Sequence, residues 1–213
     1  MSPSGAETPR SRGTYAKGVA RRQEILDRAI EVFAQRGGSR TSLRAIAQEV
    51  GVTHAALTHY FGSLDELLVA VYRDGSERPR EAEAPERPGD PPPAEADRTS
   101  PAEMMRGSAA ANREIPGMVQ LYSTLVSSAL DGTHPAAHDF VTERFARLRS
   151  ELGERVRALQ ASGALRADVP PDLVAALVIA ASDGLQTQWL LDGDVDHEAA
   201  LALLDRLLAP PHP

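Results

Sequence analysis

Between Thr41 and Tyr60 two apolar-periodic runs, each barely two turns long, are separated by the tight step Gly51-Val52-Thr53, and this spacing constrains the fold more than any other feature. The first run starts at Thr41 or Ser42, carries Leu43, Ile46, Ala47 and Val50, and ends at Gly51. The second, from about Thr53 to Tyr60, has Leu57 as its only strongly apolar interior position. A helix with one anchor and polar neighbours all round is held from one side and offered to solvent or a partner on the other. A longer helix precedes the pair. From Val19 to Gln35 the residues Ile25, Leu26, Ala29, Ile30 and Phe33 recur at spacings of three and four. Gly37 and Gly38 stop it, because glycine takes the left-handed conformation without a Cβ clash.

The remainder reads as helix as well. After Phe61 and Gly62, Ser63-Leu64-Asp65-Glu66 forms a capping box with acidic residues in the first turn, and the helix behind it buries Leu67, Leu68, Val71 and Tyr72. Six prolines lie between Gly75 and Thr99, so that stretch is expected to be a disordered or mobile loop. Ser100-Pro101-Ala102-Glu103 restarts a helix with proline at its first position. Further helices are expected at Gly117 to Leu130, Ala136 to Ala161, Pro171 to Leu191 and about Val195 to Leu208. No segment shows the period-two alternation of a strand, and no internal repeat is present, so the expected fold class is all-α.

With 213 residues the chain is long enough for one sizeable domain or a small domain coupled to a larger one. It has no cysteine, which excludes disulfide and thiolate chemistry and suits the cytoplasm. The first eighteen residues are polar, and the longest apolar run, Leu173 to Ala181, is shorter than the roughly 18 residues a membrane span needs. Neither a signal peptide nor a membrane partner is expected. The net charge of -7 conceals an uneven distribution: up to Gly62 nine basic residues face five acidic ones, so this part is +4 and the rest is -11.

Three packed helices, the second and third short and joined by a tight turn, make a helix-turn-helix unit. Its third helix has the size to enter the major groove of double-stranded DNA, and the positive segment around it attracts the phosphate backbone.

The arrangement Ile25-Leu26, Phe33, Arg36-Gly37, Thr41-Ser42, Ile46-Ala47, Gly51-Val52-Thr53, Leu57, His59-Tyr60-Phe61, Ser63 and Leu67 resembles the N-terminal domain of the tetracycline-repressor (TetR) family. Residues 1–18 are expected to be a disordered N-terminal arm, and the resemblance implies 19–62 as a helix-turn-helix DNA-binding domain and 63–213 as a helical ligand-binding and dimerisation domain, with the mobile loop at about 75–99 inside it. It implies contacts to DNA by Arg44, Thr53, His54, Ala55, Ala56, Thr58, His59, Tyr60 and Ser63. Arg44 corresponds to a base or phosphate contact and Thr53 to a hydroxyl on a phosphate. His54, Ala55 and Ala56 fall where bases are read, and Tyr60 is the best candidate for a phosphate contact. Thr58 stands where the family usually has an aromatic, Leu64 where it has a phosphate-binding lysine, and Gly38 where another aromatic is common. The second loss weakens backbone affinity unless the amides of the helix start at Ser63 compensate.

Other chemistries have little support. His54 and His59 are five apart and point to different sides of a helix, so they do not form a metal pair. His134 and His138 are four apart beside Asp139, but no third ligand accompanies them, and Pro135 puts His134 outside the helix. No nucleophile elbow, P-loop, zinc-protease or dinucleotide motif occurs. The expectation is a non-enzyme with no metal and no cofactor.

In the second half, Pro171 to Leu191 spreads apolar residues widely round the helix, with small residues among them, as a helix packed on two sides requires. With the helix from Ala199 to Leu208 it is expected to close a homodimer through Leu173, Leu177, Leu185, Leu201 and Leu204. An internal core helix is the competing expectation. A pocket for an unknown small-molecule effector is sought near Met104, Met105, Leu121, Tyr122, Leu125, Phe140 and Trp189, with a mainly aliphatic character. The function so implied is a repressor released by its effector from an inverted-repeat operator. An activator or DNA-organising protein is the alternative within the DNA-binding class, and a helical scaffold or small-molecule-binding protein without DNA specificity is the one outside it.

Overall fold

The structure, a computed structural model, describes residues 11–36, 43–82, 99–115 and 117–210. Among these residues there are nine helices and no strand: α1 Ser11–Arg36, α2 Leu43–Val50, α3 His54–Phe61, α4 Leu64–Ala82, α5 Pro101–Glu114, α6 Met118–Asp131, α7 Pro135–Ala161, α8 Pro171–Leu191 and α9 His197–Leu208. Gly37, Gly38, Thr41, Ser42, the side chains of Phe33 and Leu43, and residues 83–98 of the expected loop lie outside the described residues.

Two boundaries differ from the sequence reading. Helix α1 starts at Ser11, within the segment expected to be an arm. No proline lies between Pro9 and the end of α1, and the Arg, Ala and Lys of this stretch favour helix without needing a buried face. Helix α4 runs through Gly75 to Ala82, so the expected loop does not begin at Gly75. That glycine is buried, and a Cβ added to it would collide with Cε of Met118 on α6 and lie 3.7 Å from Cδ1 of Ile30 on α1. Gly75 therefore marks a close crossing of helices where sequence alone suggests a break.

Two apolar cores stack along the long helix α7. The first joins Ile25, Leu26 and Ala29 of α1, Ile46 and Ala47 of α2, Leu57 and Phe61 of α3, and the inner faces of α4 and α6 to Ala137, Phe140 and Val141 at the start of α7. The second joins Ala102 and Met105 of α5, Leu152, Val156 and Leu159 of α7, Val174, Ala175, Val178 and Ile179 of α8, and Leu201 of α9. Phe145 packs against both. Because α4 buries its apolar face in the first core, the three N-terminal helices are seated on the rest of the chain and not merely tethered to it.

Helix α8 has two apolar faces. Val174, Ala175, Val178, Ile179, Ser182 and Gln186 are buried within the protein. On the opposite side Leu173 and Leu177 are more than half exposed, and Ala180 and Leu191 are exposed along the same stripe. By length and composition α8 is apolar enough to cross a membrane, but one stripe of it is packed inside the protein and Asp172 and Asp183 interrupt it. On α9, Leu201 is completely buried in the second core and Leu204 packs against it, whereas Leu203 and Leu207 are exposed. The expectation that Leu201 faces a partner is thus corrected. Residues 201, 204 and 208 share the inward face at spacings of three and four, leaving 203 and 207 to the outward one.

Candidate nucleic-acid interface and interior cavity

Gly51, with φ of +73°, takes the left-handed turn that ends α2, and the Val52 amide donates to the Ala47 carbonyl at 2.9 Å. Thr53 then caps α3: its Oγ1 accepts from the Ala56 amide at 3.1 Å. As a cap acceptor the hydroxyl keeps its proton free to donate to a phosphate. Within α3 only Leu57 and Phe61 are buried. Thr53, His54, Ala55, Thr58 and His59 are exposed, and Ala56 and Tyr60 are half-buried. Arg44 is exposed on α2. One face of α3 is therefore locked into the first core, and the other presents a short polar surface ending in an aromatic.

The individual side chains differ in what they have to spare. The Thr58 hydroxyl donates to the His54 carbonyl at 3.0 Å, so its proton is spent inside the helix. The Tyr60 ring stands edge-on to His59, 5.6 Å between centroids, and packs partly on the first core, which leaves the hydroxyl end as its polar tip. Arg22 of α1 lies over the Phe61 ring, 4.9 Å from its centroid, and lines the same cleft as Tyr60. Sequence reasoning passed over Arg22 because it sits on the polar side of an ordinary amphipathic helix.

Gly62, with φ of +69°, ends α3, and the Glu66 carboxylate lies 2.8 Å from where a Cβ would stand. Ser63 Oγ accepts from the Glu66 amide at 3.2 Å. Asp65 is buried and accepts from the Ala136 amide at 3.1 Å, joining the start of α4 to the start of α7. The first turn of α4 thus holds two carboxylates already, and a phosphate approaching the Ser63 amides would meet them.

Burial pushes the Asp65 carboxyl up, but hydrogen bonds from the Ser63 hydroxyl and from the Asp65 and Ala136 amides, helped by His134, outweigh it and hold the pKa below the usual range. A group depressed in the folded state stabilises the fold above its unfolded value, near pH 4, and that contribution is lost as pH falls through the folded value. Asp65→Asn is therefore expected to cost about 2 kcal/mol at pH 7. The gap between wild type and variant should close in urea titrations taken below pH 4. A gap independent of pH would mean that the carboxylate charge does not hold the joint.

A cavity of about 770 Å³ opens between α4, α5 and α7. Met104, Met105 and Phe140 line it, as do Tyr72, Arg73, Arg144 and Arg147, together with Glu143 and Glu151. Of the residues expected to form a pocket, Leu121 and Leu125 are instead fully buried in the first core. Tyr122 too is buried in the first core and does not line the cavity, its hydroxyl donating to Asp183 at 3.1 Å. Trp189 lies on α8 beneath Arg113, 5.8 Å from its ring centroid. The lining is thus rich in charge where a mainly aliphatic surface was expected. Phe140, Arg144, Arg147 and Glu151 repeat at spacings of three and four on α7, a stripe that the apolar pattern of that helix hides. His134 caps α7, 3.6 Å from Asp131, and His138 contacts Asp139, so the two imidazoles have separate partners.

Residues 25–71 match the family model of bacterial regulatory proteins of the tetR family, and residues 124–210 match that of the BetI-type transcriptional repressor C-terminal region. The chain belongs to the TetR family. It is accordingly a DNA-binding transcriptional regulator, in a family of regulators and not of enzymes. It is 28% identical over 188 residues to the HTH-type transcriptional repressor Rv1474c of Mycobacterium tuberculosis, covering 88% of this chain and 90% of that protein. Among solved structures it resembles a TetR-family member from Streptomyces coelicolor A3, SCO1917, with a TM-score of 0.60 and 29% identity, over 88% of this chain and 98% of that one. A transcriptional regulator from Saccharomonospora viridis, solved in complex with choline, has the same fold with a TM-score of 0.65 and 19% identity, over 89% of this chain and 95% of that one. In this TetR-family chain the N-terminal match extends past Gly62 into α4, consistent with a first core that α4 shares.

Proposed function

We propose that this TetR-family regulator is a cytoplasmic homodimeric repressor that holds an inverted-repeat operator and leaves it when a small molecule fills the interior cavity. The carrying observation is the two-sided character of α3, with Leu57 and Phe61 buried and Thr53, His54, Ala55, Thr58 and His59 exposed. In this reading residues 19–62 read DNA and residues 63–213 form the body. His54 reaches a base edge, the Ala55 and Ala56 methyls pack on thymine methyls, and Thr53, Tyr60, Arg44 and Arg22 hold phosphates.

The outward stripe of α8, where Leu173, Leu177, Ala180 and Leu191 share one face at helical spacing, supports dimerisation, and Leu203 and Leu207 of α9 are exposed as well. Apolar residues in that number on one surface need a cover, and a second copy supplies it through a two-fold axis. The same axis sets two copies of α3 about 34–36 Å apart, matching successive major grooves, and makes the operator an inverted repeat. The cavity supports release by a ligand, as does the choline-bound regulator of the same fold. A molecule that binds one separation of the reading helices better than another lowers DNA affinity by that difference.

Selection of binding sequences from random duplexes at low salt tests the reading, with an enriched inverted repeat as the expected result. His54→Ala should relax preference at one base position of each half-site by about 1–3 kcal/mol. Tyr60→Phe keeps the packed ring and removes the hydroxyl, so it should weaken binding to all sequences alike. Failure of any repeat to enrich would favour a helical protein without DNA specificity.

A further inference from the structure

One guanidinium in the body lies against two tyrosine rings and has an unused donor. Arg144 of α7 lies 5.0 Å from the ring centroid of Tyr122 and 5.6 Å from that of Tyr72. Tyr72 itself packs against Tyr122 and, edge-on, against Phe140, at 5.4 and 5.6 Å between centroids. Arg144 lines the cavity, and its Nε is buried with no hydrogen-bond partner.

The other charges round the cavity are matched. Arg73 pairs with Glu143 at 3.4 Å, Arg147 with Glu151 at 3.3 Å, and Glu103 with Arg106 at 3.5 Å. Arg144 makes no ion pair within 4.0 Å among the described residues. The carboxylate that offsets it, Asp183, is engaged by the Tyr122 hydroxyl. Burial pushes the Asp183 carboxyl up, against the opposing pull of Tyr122 and Arg144. A desolvated guanidinium with an orphaned N–H is costly, and a charged acceptor oxygen relieves that cost more than a neutral one.

We propose that the effector is an organic carboxylate: one of its oxygens takes the unused Nε–H of Arg144, and its apolar body lies along Met104, Met105, Phe140 and Leu152. This assignment rests on the ligand-responsive reading above. A quaternary ammonium is excluded from the same place by both geometry and charge. The Tyr72 and Tyr122 faces that would attract it already hold Arg144, and the incoming cation would meet a like charge.

Calorimetric titration of the full chain with straight-chain carboxylates from butanoate to decanoate, with the alcohols and with the alkyltrimethylammonium ions of matching length, tests the assignment. A carboxylate is expected to bind at least about tenfold more tightly than the alcohol or ammonium ion of its length. Arg144→Gln should lower its affinity about 30-fold, equivalent to about 2 kcal/mol, and leave the alcohol within about threefold. Arg144→Lys keeps the charge without the planar fork and should fall between. The wild-type ranking of the three ligand series stands even where a variant fails to fold, which thermal unfolding would report. No carboxylate binding below about 1 mM, an ammonium ion that binds better, or an Arg144→Gln variant in which carboxylate affinity is unchanged would each overturn the proposal. Operator release measured on the same samples separates the two readings. Release by an alcohol or ammonium ion alone overturns the carboxylate and spares ligand control. Carboxylate binding that depends on Arg144 but leaves DNA affinity unchanged keeps the anion site and removes its effector role.

Discussion

Leu177→Arg is expected to convert the proposed homodimer to a monomer and to lower operator affinity by about 10²–10⁴-fold, since the second half-site contact is then no longer intramolecular. Leu177 is 64% exposed on the outward stripe of α8, so the charge costs little within one chain and acts where a second copy would lie. Sedimentation would give the mass, and anisotropy of a labelled operator the affinity. A variant that remains dimeric and binds as before would remove this stripe from the interface. Leu201→Arg should behave differently, because Leu201 is fully buried and a charge there unseats α9 from the second core.

Phe61→Ala should destabilise the protein by about 3–5 kcal/mol, a large fraction of the 5–15 kcal/mol typical of a folded domain. Phe61 is 3% exposed and sits with Leu57 in the first core, with the Arg22 guanidinium over its ring. The cavity would open under the C-terminal turn of α3, beside Tyr60, so DNA affinity should fall with stability. Denaturant unfolding followed by helical circular dichroism gives the first quantity and operator titration the second. If stability fell and operator affinity held, α3 would be kept in place by something other than its two apolar anchors.

Much of the body was legible because amphipathic helices announce themselves. The single buried residue in the interior of α3, the cap at Ser100 with Pro101 behind it, and the bounds of α8 are all local matters of spacing and turn chemistry, and the structure places each of them as read. The failures share a different cause. Gly75 reads as a helix stop in sequence but is a crossing point in space, because only the position of Met118 across the interface explains the missing side chain. Leu201 and Leu203 are equally apolar, and which of them faces inward depends on the rotation of α9 against α8. The cavity was placed near aliphatic residues because burial was inferred from hydropathy, while the arginines that line it belong to a charged stripe indistinguishable in sequence from a solvated one.

From the residues alone came the all-helical class, the helix-turn-helix at Thr41 to Tyr60 and the charge division between a positive end and a negative body. Each depends on chemistry within a few turns of chain, where period and capping suffice. The tertiary structure alone decided that α4 seals both the reading helices and the body into one core, that α8 keeps an uncovered apolar face, and that Arg144 ends against two tyrosines with a donor to spare. Those outcomes depend on contacts between residues far apart in the chain, and a side chain's partners across a helix crossing leave no trace in its own neighbourhood.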